Sequence, residues 1–189
     1  SRENAPLNVT NGAQAPVIAL IETQFEAAEP GAKAKPDSRG FALTRTLWRV
    51  KSDGAPAEKA EPDANGVIKV KAGEVIEEVA ELVNPQDRTH VAISLPLAAG
   101  FEPLNPNLAT APREAQPSAP PTLAPSWTSY GDDRVFYAYD SLPKGNYRFA
   151  FRVKAQTAGS FTQPAGLAET MYKKGIMGTS AGARVQIGE

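Results

Sequence analysis

The sequence contains no cysteine and only one histidine, His90, among its 189 residues. The absence of cysteine excludes disulfides, thiolate metal sites and a cysteine nucleophile. One histidine without cysteine also disfavours a zinc site, which needs three or four such ligands. The Gly-x-Ser-x-Gly sequence at 178–182 lacks the following helix of a nucleophile elbow, and we interpret His90 as a strand-end or surface residue rather than a catalytic base. We therefore expect a protein that is not an enzyme and binds no cofactor.

The sequence also lacks any concentration of charge or apolar residues. Its formal net charge is −1, and no cluster of lysine or arginine indicates a nucleic-acid partner or a membrane surface. No apolar run reaches the roughly eighteen residues of a membrane span, so we expect no direct insertion into a membrane. Because the chain begins with Ser1 rather than Met and has no signal-peptide pattern, we expect a fragment or processed product whose export signal lies upstream.

The most regular pattern that is present lies near the C-terminus. Apolar side chains occupy every second position from 147 to 155, with Arg148, Arg152 and Lys154 between them. This period of two predicts a strand with aromatic residues on one face and cations on the other. Core packing explains these aromatics better than stacking on carbohydrate or nucleic acid. The tight-turn sequence at 142–145 and the aromatic run at 135–139 predict an antiparallel hairpin that ends in this strand.

Short apolar bursts elsewhere predict further strands. The segment 75–83 fits a helical stripe as well as a strand, and its β-branched content together with flanking strands favours the strand. Loops are expected at 27–38 and 51–66, with a turn at Asn65-Gly66. The remaining predicted strands are 17–25, 41–50, 67–70, 90–95, 160–162 and 184–187.

Residues 102–126 form a Pro-rich excursion with seven prolines, a density that no helix or central strand tolerates. The strands predicted after this excursion can pair with those predicted before it. We therefore predict one domain over residues 1–189, with an extended lead-in at 1–15. Seven to nine short strands without a long helix predict an all-β fold, an antiparallel β-sandwich.

Three motifs have weak chemical interpretations. Asp132-Asp133 either binds calcium weakly or forms a solvated turn, and the missing oxygen ligands favour the turn. Glu77-Glu78 either face opposite sides of a strand or face solvent. The glycines between 175 and 182 lack the following helix and the lysine of a phosphate loop, so we interpret them as an irregular loop.

Several segments resemble the C-terminal macroglobulin-like domain, MG10, of bacterial alpha-2-macroglobulins. The resemblance is carried by DDRVFYAYDSLPKGNYRFAFRVKA at 132–155, GSFTQP at 159–164 and AETMY at 168–172. It is also carried, in the same order along the chain, by RGFALTRTLWRV at 39–50, KAGEVIEEVAELVNP at 71–85 and THVAISLPLAAGFEPLNP at 89–106.

This resemblance implies a β-sandwich module of a periplasmic protease inhibitor that is lipid-anchored to the inner membrane through its upstream part. The implied partners are other domains of the same chain, above all a helical thioester domain, and proteases captured by the intact protein. A cell-wall synthase is a further partner that the resemblance leaves open. A stand-alone adhesion or carbohydrate-binding sandwich is the alternative function.

Within the family pattern, the tyrosine of the Met-Tyr pair matches Tyr172, beside Met171. The resemblance implies that this tyrosine projects toward the thioester of a neighbouring domain and excludes water from it. A second branch of the family lacks the thioester, and there Tyr172 would be a domain-interface residue. The remaining interpretation is a tyrosine that packs on its own domain.

Overall fold

The structure is a computed structural model that describes residues 10–12, 15–16, 18, 34–51 and 54–189, with the backbone alone at 56 and 57. The strand predicted at 17–25 and the lead-in predicted at 1–15 lie outside the described residues, apart from isolated positions. The described residues form fourteen strands and a 3-10 helix, Arg113–Ala115. The strands are β1 (Asp37–Arg39), β2 (Ala42–Val50), β3 (Pro56–Lys59), β4 (Val67–Lys71), β5 (Val75–Asn84), β6 (Arg88–Pro96), β7 (Phe101–Leu104), β8 (Trp127–Tyr130), β9 (Arg134–Leu142), β10 (Gly145–Ala155), β11 (Gly159–Gln163), β12 (Leu167–Thr170), β13 (Met177–Thr179) and β14 (Ala183–Gly188).

The strands form three sheets that share one apolar core. Six strands form one sheet in the order β1-β13-β12-β6-β9-β8, and five form a second in the order β3-β2-β5-β10-β7. A third sheet of β11, β14 and β4 contains the parallel pair β14–β4. Phe149 of β10 packs against Tyr137 and Tyr139 of β9, with ring centroids 5.0 and 6.2 Å apart, so the two large sheets face each other.

This arrangement confirms the predicted antiparallel β-sandwich. The predicted seven to nine strands are too few for the described residues, because six of the fourteen strands have only three or four residues. Elements that short show no reliable period in sequence. No helix in the described residues is long and apolar enough to cross a membrane.

The predicted hairpin at 135–155 is wrong. β9 pairs with β6 and β8 in the six-stranded sheet, whereas β10 pairs with β5 and β7 in the other. The turn at 142–145 therefore carries the chain from one sheet to the other. Asn84 stabilises this crossover, because its side-chain amide donates hydrogen bonds to the carbonyls of Leu142 (3.0 Å) and Pro143 (2.8 Å).

The ambiguous segment 75–83 is a strand, as favoured, and β5 is the central strand of its sheet, between β2 and β10. Residues 76–80 are all buried, on both faces. A strand covered on both sides shows no alternation of apolar and polar residues, which explains why the pattern at 75–83 also fitted a helix.

The Pro-rich excursion closes one side of the sandwich. Backbone N–H groups of Thr122 and Ser126 donate to the carbonyls of Arg148 (3.1 Å) and Ala138 (2.9 Å), which belong to different sheets. The excursion thus covers the part of the β10 edge that β7 leaves unpaired. This cover protects the protein from aggregation, because an exposed strand edge can pair with another chain. The expectation that 102–126 contains no central strand is confirmed, because β7, which includes residues 102–104, is an edge strand of its sheet. The expectation of no helix is wrong for one turn, the 3-10 helix Arg113–Ala115.

Most other predicted elements are confirmed within one to three residues. These are the strands at 41–50, 67–70, 90–95, 160–162 and 184–187 and the turn at Asn65-Gly66. Three loop predictions are corrected, because β3 lies within 51–66, β13 lies within the glycine-rich segment 175–182, and β1 includes residues 37 and 38 of the predicted loop 27–38.

Candidate functional site

The connection between β12 and β13 presents Met171 and Tyr172 to solvent. We call residues 171–176 the tyrosine tip. The Tyr172 side chain is 79% exposed and Met171 47%, so their own domain leaves most of the Tyr172 ring uncovered. β12 and β13 pair antiparallel beneath the tip, and β12 also pairs with β6. An aromatic and a thioether side chain are therefore raised from the end of a sheet.

The tyrosine tip is braced by its own backbone. The N–H of Thr170 donates to the carbonyl of Ile176 (3.2 Å), and its hydroxyl donates to the carbonyl of Lys173 (2.7 Å). Gly175 has φ +85°, a left-handed conformation that costs glycine little. These contacts fix a short turn, so the exposed residues sit on a defined backbone.

His90 is the second residue of this site, and sequence reasoning missed its role. The interpretation of His90 as an exposed strand residue is correct, since it lies in β6 and is exposed. The Met171 N–H donates to the His90 carbonyl (2.8 Å), and the imidazole meets the Tyr172 ring edge-on, with centroids 5.0 Å apart and planes at 76°. No sequence signal links residues 82 positions apart, since only the β6–β12 pairing brings them together.

Glu77 is completely buried beneath the Pro-rich excursion, not exposed to solvent. Its carboxylate accepts hydrogen bonds from the Arg152 Nε (3.1 Å), the Ser118 N–H (2.8 Å) and the Ser118 hydroxyl. Arg152 is also buried and donates to the carbonyls of Glu114 (3.1 Å) and Gly54 (2.5 Å). The cationic face predicted for β10 is therefore covered at its centre by the excursion.

Glu78 is completely buried on the opposite face, inside the sandwich. It accepts hydrogen bonds from the Arg45 Nε (2.6 Å) and the Gln163 side-chain amide (2.7 Å). Burial raises the pKa of Glu78 above its ordinary value, an effect that the Arg45 charge and the hydrogen bonds only partly offset. The expectation that Glu77 and Glu78 face opposite sides is correct, and both carboxylates are inaccessible to a substrate.

A hollow of about 870 Å³ lies beside the excursion. Its charged lining residues are mostly paired, Arg152 with Glu77, Glu74 with Arg49 (2.7 Å) and Glu114 with Lys154 (3.5 Å). An arrangement of satisfied ion pairs stabilises the fold rather than converging on a ligand.

Asp133 lies at an exposed turn and pairs with Arg134, with Oδ2 and Nη2 2.7 Å apart. Its hydrogen bonds from Arg134 lower the pKa of the Asp133 carboxyl. Among the described residues, no three histidine or acidic side chains converge as metal ligands would. The structure therefore favours the turn interpretation of Asp132-Asp133.

Trp127 is also an exposed aromatic side chain, at 57%. It contacts Phe136 with ring centroids 5.6 Å apart and planes inclined at 62°. Two rings at that angle do not form the flat surface on which a sugar ring stacks.

Comparison with known proteins adds the family context. A model of the bacterial alpha-2-macroglobulin MG10 domain matches residues 40–174, which include the tyrosine tip up to Lys174. No curated protein matches the chain.

Solved structures of alpha-2-macroglobulins are similar in fold. The Salmonella protein reacted with methylamine has 18% identity and a TM-score of 0.61, over 84% of this chain and 10% of that one. Trypsin-activated alpha-2-macroglobulin from Escherichia coli has 15% identity and a TM-score of 0.62, over 82% and 11%. The native Escherichia coli protein from domain MG7 to the C-terminus has 15% identity and a TM-score of 0.59, over 84% and 25%. The chain thus spans about a tenth of the first two proteins.

Proposed function

The chain belongs to the bacterial alpha-2-macroglobulin MG10 domain family, and on that premise we propose that it is the non-catalytic C-terminal domain of a protease inhibitor. In this proposal the tyrosine tip contacts another domain of the same, much longer polypeptide. The chain's coverage of only about a tenth of its solved relatives supports the existence of such domains. The intact protein would inhibit endopeptidases, and this domain would supply no reacting group.

The observation that supports this proposal best is the exposure of Tyr172 on a braced backbone. A large aromatic side chain at 79% exposure leaves apolar surface in water unless a partner covers it. The β12–β13 turn holds it in one place, so its position is suited to a fixed partner surface. An interdomain contact would bury both Tyr172 and Met171.

Where the neighbouring domain carries a thioester, the Tyr172 ring would shield it. A thioester is lost when water attacks its acyl carbon, and an aromatic ring over that carbon excludes water. The phenol hydroxyl at the edge of the ring can remain hydrogen-bonded while the ring is buried. The reaction of the Salmonella relative with methylamine, a small amine, supplies the assay for this proposal.

The test uses the intact protein and its capacity to take up labelled methylamine. We expect Tyr172→Ala to lose that capacity on standing roughly tenfold faster than the wild type, a difference of about 1.4 kcal/mol in barrier. Trp127→Ala is the matched control, because it removes an exposed aromatic side chain from another part of the same sheet. If a thioester is present and Tyr172→Ala decays at the wild-type rate, the shielding role is wrong.

The proposal extends to location and partners. We place the intact protein in the periplasm, lipid-anchored to the inner membrane, with target proteases as its partners and a cell-wall synthase as a further candidate. Trypsin activation of the Escherichia coli relative supports a protease as the trigger. Cell fractionation with an antibody to this domain tests the location, and recovery only in the cytosolic fraction would contradict it.

Carbohydrate binding is the second candidate function, and exposed Trp127 is the observation that favours it. The same two variants distinguish the functions, because Trp127→Ala would abolish retention on immobilised glycans and Tyr172→Ala would not. The inclined rings of Trp127 and Phe136 make this the weaker candidate.

A further inference from the structure

His90 combines two features that converge on Tyr172, one in its backbone and one in its ring. We propose that His90 is a positioning residue, which orients Tyr172 for docking against the neighbouring domain. This inference rests on the proposed function for its consequence, but its structural basis is independent. It assigns a role to a residue that is neither a catalytic group nor part of the core.

The backbone feature is a left-handed conformation. His90 has φ +53°, and it is the only residue other than glycine with positive φ in the described part of the chain. A Cβ atom makes this conformation unfavourable. Such residues persist where surrounding contacts determine them, and they are frequent at functional sites.

The contact that accompanies this conformation leads to the tyrosine tip. The β6–β9 register omits His90, since Thr89 opposes Ser141 and Val91 opposes Tyr139. The His90 carbonyl accepts the hydrogen bond of the Met171 N–H at 2.8 Å. The residue before Tyr172 is therefore tied to a position where β6 departs from regular geometry.

The second feature is the ring contact. The imidazole and the Tyr172 ring meet edge-on at 5.0 Å and 76°, an attractive geometry for aromatic pairs. His90 is the only ring that contacts Tyr172 among the described residues. Because Tyr172 is otherwise surrounded by solvent, this contact limits its rotamers.

The consequence is a tyrosine that is ordered before it binds. A side chain that is already fixed in its bound orientation loses less entropy on association. Removing the His90 contacts would therefore weaken docking through Tyr172 while the Tyr172 side chain itself remains present.

Three substitutions in the intact protein separate the two features. His90→Asn retains a residue that tolerates the left-handed conformation but removes the ring. His90→Phe retains an aromatic ring without that tolerance, and His90→Val removes both. Thr89→Val is the matched control, because Thr89 is exposed, adjacent in β6 and paired regularly.

Two measurements report on the tip itself. Hydrogen exchange of the Met171 amide should be about tenfold faster in His90→Val and His90→Phe, and unchanged in His90→Asn. The second measurement is the ¹⁹F chemical shift of 3-fluorotyrosine placed at 172. It should move to the value of a fully solvated fluorotyrosine in His90→Asn and His90→Val, and it should keep the wild-type difference from that value in His90→Phe. If neither signal responds to any of the three variants, the inference is wrong.

A double-mutant cycle tests the functional consequence. Loss of methylamine reactivity should be roughly threefold to tenfold faster in His90→Val than in the wild type, and His90→Val should have no further effect in a Tyr172→Ala background. Additive effects would overturn the positioning role. If Tyr172→Ala has no effect while the ¹⁹F shift still depends on His90, the positioning role stands and the shielding function is the part that fails.

Discussion

Glu77 and Glu78 are adjacent, completely buried, and bound to arginines from different neighbouring strands. Glu77 pairs with Arg152 of β10 on the outer face of β5, whereas Glu78 pairs with Arg45 of β2 on the inner face. Buried ion pairs therefore link β5, the central strand of the five-stranded sheet, to both of its neighbours, β10 and β2. A buried ion pair contributes little net stability compared with apolar packing, but removing one partner leaves an uncompensated charge.

The first prediction concerns Arg45→Met. At about pH 7.5 this change should destabilise the fold by about 3–5 kcal/mol, because the Glu78 carboxylate stays buried without its cation. Since burial already raises the pKa of Glu78, its protonated form favours the folded state. The deficit should therefore shrink as the pH falls through the raised folded-state pKa toward the ordinary value of 4.5. Urea unfolding at a series of pH values measures this.

The control for that experiment is the double variant Arg45→Met/Glu78→Gln, which has no titrating carboxyl at this position. Its stability relative to wild type should lack the additional recovery at low pH. A constant deficit in Arg45→Met over the whole series would contradict a raised pKa of Glu78.

The second prediction concerns the attachment of the Pro-rich excursion. Ser118→Ala removes a hydroxyl that donates to the buried Glu77 carboxylate, and hydrogen bonds to charged groups contribute about 1.5–3 kcal/mol. We expect a loss of stability in that range and faster proteolysis within 116–122. Ser126→Ala is the control, because its hydroxyl accepts a hydrogen bond from the exposed Asp140 N–H and not from a buried group. Equal effects of the two changes would contradict the attachment at Glu77.

The third prediction compares two tyrosines of β9. The Tyr139 hydroxyl donates to the carbonyl of Leu123 (2.8 Å), whereas the buried Tyr137 hydroxyl has no hydrogen-bond partner among the described residues. Burial is the main cause of the raised pKa of Tyr137, and the nearby Tyr130 hydroxyl adds to it, although the two hydroxyls do not meet the geometry of a hydrogen bond. Both β9 tyrosine rings contact Phe149, so replacement by phenylalanine isolates the hydroxyl.

We expect Tyr139→Phe to cost about 0.5–1.5 kcal/mol and Tyr137→Phe to be neutral or stabilising by up to about 1 kcal/mol. Denaturant unfolding of both variants measures the difference. A clear loss of stability in Tyr137→Phe would mean that this hydroxyl does have a hydrogen-bond partner, either the Tyr130 hydroxyl or a water molecule.

The fourth prediction concerns a close contact between β13 and Phe41, the residue that precedes β2. A Cβ atom at Gly178 would lie 2.3 Å from the carbonyl oxygen of Phe41, so the backbone must move. Gly178→Ala should destabilise the fold by about 1–3 kcal/mol or more. Gly188→Ala is the matched strand control, because its nearest neighbour would lie at 4.0 Å, and a similar loss in both variants would contradict the contact.

The strands were predictable where their side chains alternate, as in β10, and uncertain where both faces are buried, as in β5. The pairing of β9 with β10 was predicted wrongly because a proline-glycine turn specifies a chain reversal and not the sheet that receives the next strand. Hairpins and crossovers between sheets use the same turn residues. The sequence around 142–145 therefore indicated the reversal but not its destination.

At the candidate site, Tyr172 was predictable through a family resemblance, whereas His90 was not. The position of His90 depends on a left-handed backbone and on strand pairing, and neither has a signature in one sequence. Glu77 was considered for a solvent-facing position because carboxylates are rarely buried unless paired. Its partners, Arg152 and Ser118, lie 75 and 41 positions away, beyond any local pattern.

The pairing of β1 with β13 has a consequence for how the chain acquires its structure. Asp37 and Thr179 are opposed in that ladder although they are separated by 142 positions, so the six-stranded sheet cannot be completed until the chain has been synthesised as far as Thr179. Contacts between residues so far apart in sequence slow folding, because the entropy of closing the long loop is lost before the contacts themselves form. We expect a nascent chain that ends before β12 to remain unfinished on the ribosome, with strand edges that a chaperone would have to protect.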